Sequence, residues 1–574
     1  MALSTIDWII IMAFFVVSLL IGLYTLKFSS KDSANFFLSG RNMPWWVLGV
    51  SMVATTFAAD TPGLVAGIIR QDGISGNWVW WSFLLTGMLT VFFYSKLWRR
   101  TGIKTDLEFY ELRYSGKSAS FLRGFRALYL GVFFNIVIMA TVCLAAIKIG
   151  HVLFGFSATT SLLIACSVTG LYSMLGGLKG VLITDFIQFI IAMTGSIWAT
   201  IYIVNRPEIG GIDNLITSVN VKDKLDFIPN FDNPELFVPL LVVPLAVQWW
   251  SVWYPGAEPG GGGYIVQRML ASKSEKDATI ATLFFNVMHY AVRPWPWIIM
   301  GLASLIIYPN LVDLQQAFPE LDESFVKNDL SYAAILKLLP SGLIGLVVTS
   351  LIAAFMSTIS THLNWGSSYV VNDFYVRFIN PNASPKFQVL VGRFSILVMM
   401  VFSALLAFVL EEAKDAFDLL LQIGAGTGLL FILRWFWYRI NPYSEITAML
   451  VSFLIAVFFF VNKKSDYNWL EIKQYEELVL GVFITTFAWI LVSLFTKPSK
   501  TKTLRTFDEI AFKNESKLKN FRYKIISFLA SVIAVYALLF AIGQIIFSDY
   551  KNAVWSSLIF VICGIVVFRF WKRI

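Results

Sequence analysis

Cysteine and histidine are scarce, at three each in 574 residues. Cys143, Cys166 and Cys563 all lie inside apolar runs, which argues against a disulfide framework or a thiolate metal centre. His151, His289 and His362 are too scattered to suggest a zinc or haem site. Charge is scarce too: Lys, Arg, Asp and Glu make up 14% of the chain, against about 25% in soluble proteins. The phosphate-binding pattern GxxxxGK[ST] does not occur, which argues against a built-in ATP-driven motor. What abounds is apolar, 57% hydrophobic and 16% aromatic, in long uninterrupted runs. A soluble protein so composed would expose large apolar patches and aggregate. The composition predicts an all-α polytopic membrane protein.

About fifteen stretches approach the roughly 20 residues a helix needs to span a bilayer. They include 7–26, 44–70, 180–204, 235–258, 278–308, 333–372 and 414–436. The first has no basic flank and no small-residue cleavage site, so it reads as a mature helix and not as a leader. The net charge of +9 does not form one patch. Basic residues alternate with the spans, which points to topology and away from nucleic acid. With the N-terminus outside, 32 of the 45 Lys and Arg fall on inner connections. Basic-inside bias then places the C-terminus in the cytoplasm of a bacterial-type inner or plasma membrane. The longest connections, near 205–234, 309–332 and 498–521, are too short for an independent core.

Two spans are interrupted. The second contains Asp60-Thr61-Pro62-Gly63, and the seventh runs into Glu258-Pro259 and the glycines Gly260 to Gly263. Irregular backbone at membrane depth is tolerated where it lines a cavity or is buried in protein. Two such breaks, five segments apart, mark an inverted five-plus-five repeat with a binding site at the breaks. The expected division is an extra helix in 1–43, repeats in 44–234 and 235–440, and four further helices in 441–574. In the ninth span Ser357, Ser360, Thr361, Asn364, Ser367 and Ser368 share one helical face. Hydroxyl and carbonyl oxygens are hard ligands suited to an alkali cation. Asp185 offers a carboxylate partner, with Lys179 its alternative neighbour.

These segments resemble the sodium:solute symporter family. The motifs are Phe37-Leu-Ser-Gly-Arg41, Gly176-Gly177-Leu-Lys179 through Thr184-Asp185, Tyr264-Ile-Val-Gln-Arg268, and Ala354 through Thr361. The resemblance implies the leucine-transporter fold and Na+ as coupling ion, with no organic cofactor. It implies a sodium site built from Ala54, Phe57, Ala354, Ser357 and Thr358. A second sodium, as in some members, would use Asp185, Ser357, Ser360 and Thr361. The partners implied are a small polar solute, sodium and the lipid bilayer, with no obligate protein partner.

On the solute side, Thr56, Asp60, Thr61, Trp253 and Glu258 are the candidates. The positions where sugar carriers hold amides and an aromatic gate are filled here by Thr56, Thr61 and Glu258. Asp60 and Glu258 are expected to border one central cavity, with Arg293 either a partner for Glu258 or a packing arginine facing the cytoplasmic vestibule. Such a cavity favours sugars, polyols and zwitterions over monocarboxylates. The leading expectation is a sodium-coupled importer and not an enzyme. Proton coupling through Asp60 or Glu258, a passive channel and a transporter-like receptor are the alternatives.

Overall fold

The computed structural model describes residues 3–252, 258–319, 323, 326–410, 424–464 and 471–574. Among the described residues the chain is helical, apart from turns and one isolated bridge between Met43 and Ser272. The principal helices begin with α1 (Thr5–Ser29), α2 (Trp45–Thr55), α3 (Thr61–Asp72), α4 (Ile74–Thr101) and α5 (Lys117–His151). Next come α6 (Ala158–Val204), α7 (Pro234–Trp250), α8 (Gly263–Ala271), α9 (Glu275–Ile307) and α10 (Leu343–Ile379). The last are α11 (Pro385–Ala407), α12 (Pro442–Asn462), α13 (Gln474–Phe495), α14 (Phe521–Ile546) and α15 (Tyr550–Arg573).

Eleven of these are long and apolar enough to cross a membrane, fewer than the fifteen expected. The second and seventh expected spans are each divided in two, as α2 with α3 and α7 with α8. The fifth and sixth run on as α6, 47 residues that turn at Gly177 (φ 53°). Gly177 is required there. A Cβ would meet the Phe36 carbonyl at 2.9 Å, and the Ser29 hydroxyl already donates to the Gly176 carbonyl. Residues 414–423 of the eleventh expected span lie outside the described residues, and its remainder includes the short helix Gly428–Leu433. The ninth starts later than 333, because Pro340 and Gly342 (φ 85°) separate the short helix Leu330–Leu336 from α10.

Burial ranks the helices. In its most apolar window α10 is 89% buried, whereas α15 is 17% buried. A helix buried all round belongs at the centre of a bundle, and one exposing an apolar surface belongs at the lipid boundary. α6 packs along α1 and α10, α2 lies between α6 and α9, and α3 rests on α9. The ends of the two broken helices meet, for Met43 N–H donates to the Ala271 carbonyl (3.2 Å) and Lys273 N–H to that of Met43 (3.2 Å).

The breaks are held by different means. At the first, Pro62 sits in the opening turn of α3, where its missing N–H costs nothing. The loop satisfies itself: Phe57 N–H reaches the Ala54 carbonyl (3.1 Å), and Ala58 N–H reaches Thr61 Oγ1 (3.1 Å). At the second, Gly260 (φ 85°) and Gly261 (φ 101°) adopt left-handed backbone that other residues resist. The Gly260 carbonyl accepts Trp98 Nε1–H (2.8 Å), and a Cβ there would lie 3.1 Å from the Tyr94 ring.

Candidate functional site

The polar stripe of α10 divides by use. Thr358 Oγ1 donates to the Thr55 carbonyl (3.1 Å) and lies 3.4 Å from that of Phe57, at the unwound end of α2. Ala54 and Ala354 are buried beside it. Ser357, next to it in the chain, donates to Asp185 (2.6 Å). Further along, Asn364 accepts from Gln267 (2.9 Å) and Ser367 donates to the Gly392 carbonyl of α11 (2.9 Å). Ser368 donates to its own helix. The last third of the stripe is helix packing.

Asp185 lies fully buried between α2, α6, α8 and α10. It accepts from Ser51 as well as Ser357, and its nearest cation is Arg268, at 3.8 Å. Lys179 lies elsewhere, 4.1 Å above the Phe28 ring. Arg268 Nη2 donates to Thr361 (2.7 Å), which shares a 3.1 Å hydrogen bond with Thr55. Ser360 does not join this group; it donates to the Ser357 carbonyl (3.2 Å). The Gln267-Arg268 pair was in plain view in its motif, yet one turn of α8 had to be placed before its partners could be named.

On the other side of the first break stands a group absent from the expected solute set, apart from Thr56. Arg293 is 2% exposed. Its Nη1 donates to the Val53 carbonyl (3.0 Å) and to Thr56 Oγ1 (3.1 Å), and its guanidinium lies 5.3 Å above the Trp297 ring. Nε has no hydrogen-bond partner, and no carboxylate pairs with this arginine among the described residues. His289 Nδ1 is 3.0 Å from Thr56 Oγ1. Thr56 Oγ1 also reaches the Met52 and Val53 carbonyls (3.1 and 3.0 Å). A single π turn, in which Arg293 N–H reaches the Met288 carbonyl (3.0 Å), aims both side chains at the break. Such turns recur at functional sites.

The expected pairing of Arg293 with Glu258 is therefore wrong. Glu258 is 4% exposed and pairs with Arg126 of α5. Arg126 lies 3.8 Å from Glu445, which also faces Arg434 (3.5 Å) and accepts Tyr114 Oη–H (2.6 Å). Asp106, outside the spans, accepts Gly263 N–H (2.9 Å) and Tyr369 Oη–H. Burial, then the charge of Glu258, push the Asp106 carboxyl up to about 6, against those two hydrogen bonds and Arg126.

Asp60 and Glu258 have different charged neighbours. Asp60 caps α3, takes the Thr61 N–H on its carboxylate and has Asp329 as its nearest charge. Thr61 is spent on the Ala58 N–H. Trp253 lies outside the described residues.

A bundle with two broken helices and a polar seam between them is a membrane carrier, not an enzyme. The family model for the sodium:solute symporter family matches residues 36–452, and the chain belongs to that family. It is 25% identical to a sodium/glucose cotransporter of Vibrio parahaemolyticus over 79% of this chain and 85% of that one. It is 26% identical to a sodium/sialic acid symporter of Proteus mirabilis over 79% and 88%, respectively. It is also 26% identical to the human sodium/myo-inositol cotransporter, over 88% and 75%. The solved structure of a Na+-coupled sialic acid symporter in a substrate-bound, outward-open state shares the fold, with TM-score 0.68 at 22% identity over 87% of this chain and 99% of that one. The protein is an integral membrane symporter that couples a small solute to sodium.

Proposed function

We propose that the chain imports a small solute bearing a carboxylate or similar anion, together with one sodium ion. The observation that carries this is Arg293, a buried cation beside the first break with an unused Nε and no carboxylate partner among the described residues. A buried charge is tolerated when paired, and breaking a buried pair costs about 3–5 kcal/mol. An anionic solute completes the pair. Arginine offers a planar fork of donors that matches a carboxylate. His289 Nε2 remains to meet a hydroxyl next to that anion, since a hydroxyl both donates and accepts. The chemistry of these three side chains reverses the preference that two acids would have set.

Sodium sits where Thr358 already touches carbonyl oxygens. Its ligands are the Ala54, Phe57 and Ala354 carbonyls and the Ser357 and Thr358 hydroxyls. Because Ser357 also bonds Asp185, the ion and the carboxylate are linked through one side chain. A second ion at Asp185, Ser360 and Thr361 would have to displace Arg268 from Thr361, so the coupling is one to one. A sodium Hill coefficient near two that falls in Asp185→Asn would return the second ion to that site. The end of the bundle holding Lys96, Arg100 and Lys524 faces the cytoplasm by its basic excess.

The test is a ligand screen by sodium-dependent thermal stabilisation of the purified protein. Hydroxy- and amino-carboxylates should stabilise it, and neutral sugars and polyols of equal size should not. A neutral polyol as tightest ligand, with Arg293→Gln unaffected, would sink the reading.

A further inference from the structure

At the basic end of the bundle, where α4, α14 and α15 converge, lies a cavity of about 240 Å³. Seven of its fifteen lining residues are Lys or Arg, and one is acidic. Ordinary ion pairs account for three of the seven. Arg100 pairs with Glu275 (2.8 Å), Lys517 with Asp508 (2.8 Å) and Lys519 with Glu515 (2.6 Å). Arg573 donates to the Tyr523 hydroxyl and lies over its ring. Lys96, Lys524 and Lys572 form no close ion pair and no hydrogen bond among the described residues, although Glu275 acts on Lys96 and Glu515 on Lys524 at longer range. Lys524 lies over the Phe93 ring, at 5.9 Å.

Basic-inside topology accounts for lysines at this end, but those extend into water. Lys96 and Lys524 do not. Both are half-buried, on different helices, and face the same cavity. Like charges brought together away from water repel unless an anion joins them. One wall is apolar, with Phe92, Phe93 and Phe512, and the adjoining α15 leaves most of its surface uncovered. Cations at the rim and hydrocarbon along the wall fit a phosphate that carries acyl chains.

We propose that this cavity binds a phosphate-bearing anion, with the headgroup of an anionic phospholipid as its occupant. Much of the site comes from residues beyond 452, outside the stretch that matches the family model. It is separate from the solute site and does not depend on the identity of the solute.

The full chain is purified in detergent, and its melting temperature is followed against phosphatidylglycerol, phosphatidylcholine and inorganic phosphate. Phosphatidylglycerol should raise it and phosphatidylcholine should not. The double variant Lys96→Gln/Lys524→Gln should need about 30-fold more phosphatidylglycerol for the same shift, at about one lysine's worth of headgroup attraction per substitution. Lys96→Arg/Lys524→Arg should behave as wild type. A shift from inorganic phosphate as large as that from phosphatidylglycerol would keep the phosphate site and reject the lipid. Equal phosphatidylglycerol response in wild type and the Gln variant overturns the site. Should that variant fail to fold, Lys572→Gln at the exposed rim replaces it. Unchanged lipid response there overturns the site equally.

Discussion

The two helix breaks are topological counterparts, yet they are furnished in opposite ways. Around the second, Glu258, Glu445 and Asp106 meet Arg126 and Arg434, so each charge has an opposite neighbour. Around the first, Arg293 stands with His289 and Thr56 and has no acid among the described residues. Saturated ion networks fix a conformation, because removing one member strands the others. An unsaturated cation stores the same penalty until a ligand relieves it. The charges at the second break tie helices together, and those at the first fit the anionic solute proposed above.

The largest expected effect comes from breaking the saturated side. Arg126→Gln strands Glu258 and leaves Glu445 with one arginine, and should destabilise the protein by about 3–5 kcal/mol. Thermal melting and the yield of monodisperse protein measure this. Adding Glu258→Gln removes the stranded charge and should restore part of the loss; no recovery would mean that the pair is not the cause.

Next comes the unsaturated side. Arg293→Gln should leave melting without solute near wild type, or raise it, while cutting kcat/KM for uptake about 100-fold, near 2.7 kcal/mol. If instead the variant unfolds with uptake per folded molecule intact, Arg293 belongs with the structural arginines. Thr358→Ala should raise the sodium concentration for half-maximal uptake about tenfold, near 1.4 kcal/mol. An unchanged sodium curve would move the ion elsewhere.

The smallest effect concerns Asp106. A carboxyl held at about 6 in the folded state, above its ordinary 3.8, takes up a proton on folding. Its stability contribution is therefore greatest below about 3.8 and is lost as pH rises to about 6. Melting temperature should fall slightly from pH 4 to pH 7, and Asp106→Asn should flatten that part of the profile. A slope left intact in the variant would assign it to other groups.

The position of each break was legible in the chain, because Pro62 and the glycines from Gly260 act through their own backbones and need no partner. The stripe from Ser357 to Ser368 was legible for the same kind of reason, since helical period alone puts those residues on one face. Arg126 and Glu445 were not. They lie 132 and 187 residues from Glu258, and nothing local in either segment records the other. The nearest arginine by segment, Arg293, was the wrong partner for Glu258. His289 was one of three scattered histidines, and only the π turn of α9 brings it onto Thr56.

The sequence by itself determined that this is a membrane-embedded helical carrier with two interrupted spans, basic connections and a hydroxyl-bearing central helix. Those properties follow from hydropathy, helical periodicity and backbone stereochemistry, which act over a few turns of chain. Only the tertiary structure decided which buried charge faces which. Long-range pairing in a low-dielectric interior is set by which helices touch and which way each side chain leans. The same arginine that would be a lock beside Glu258 instead bonds Val53 and Thr56, and that difference lies in the packing of α9 against α2.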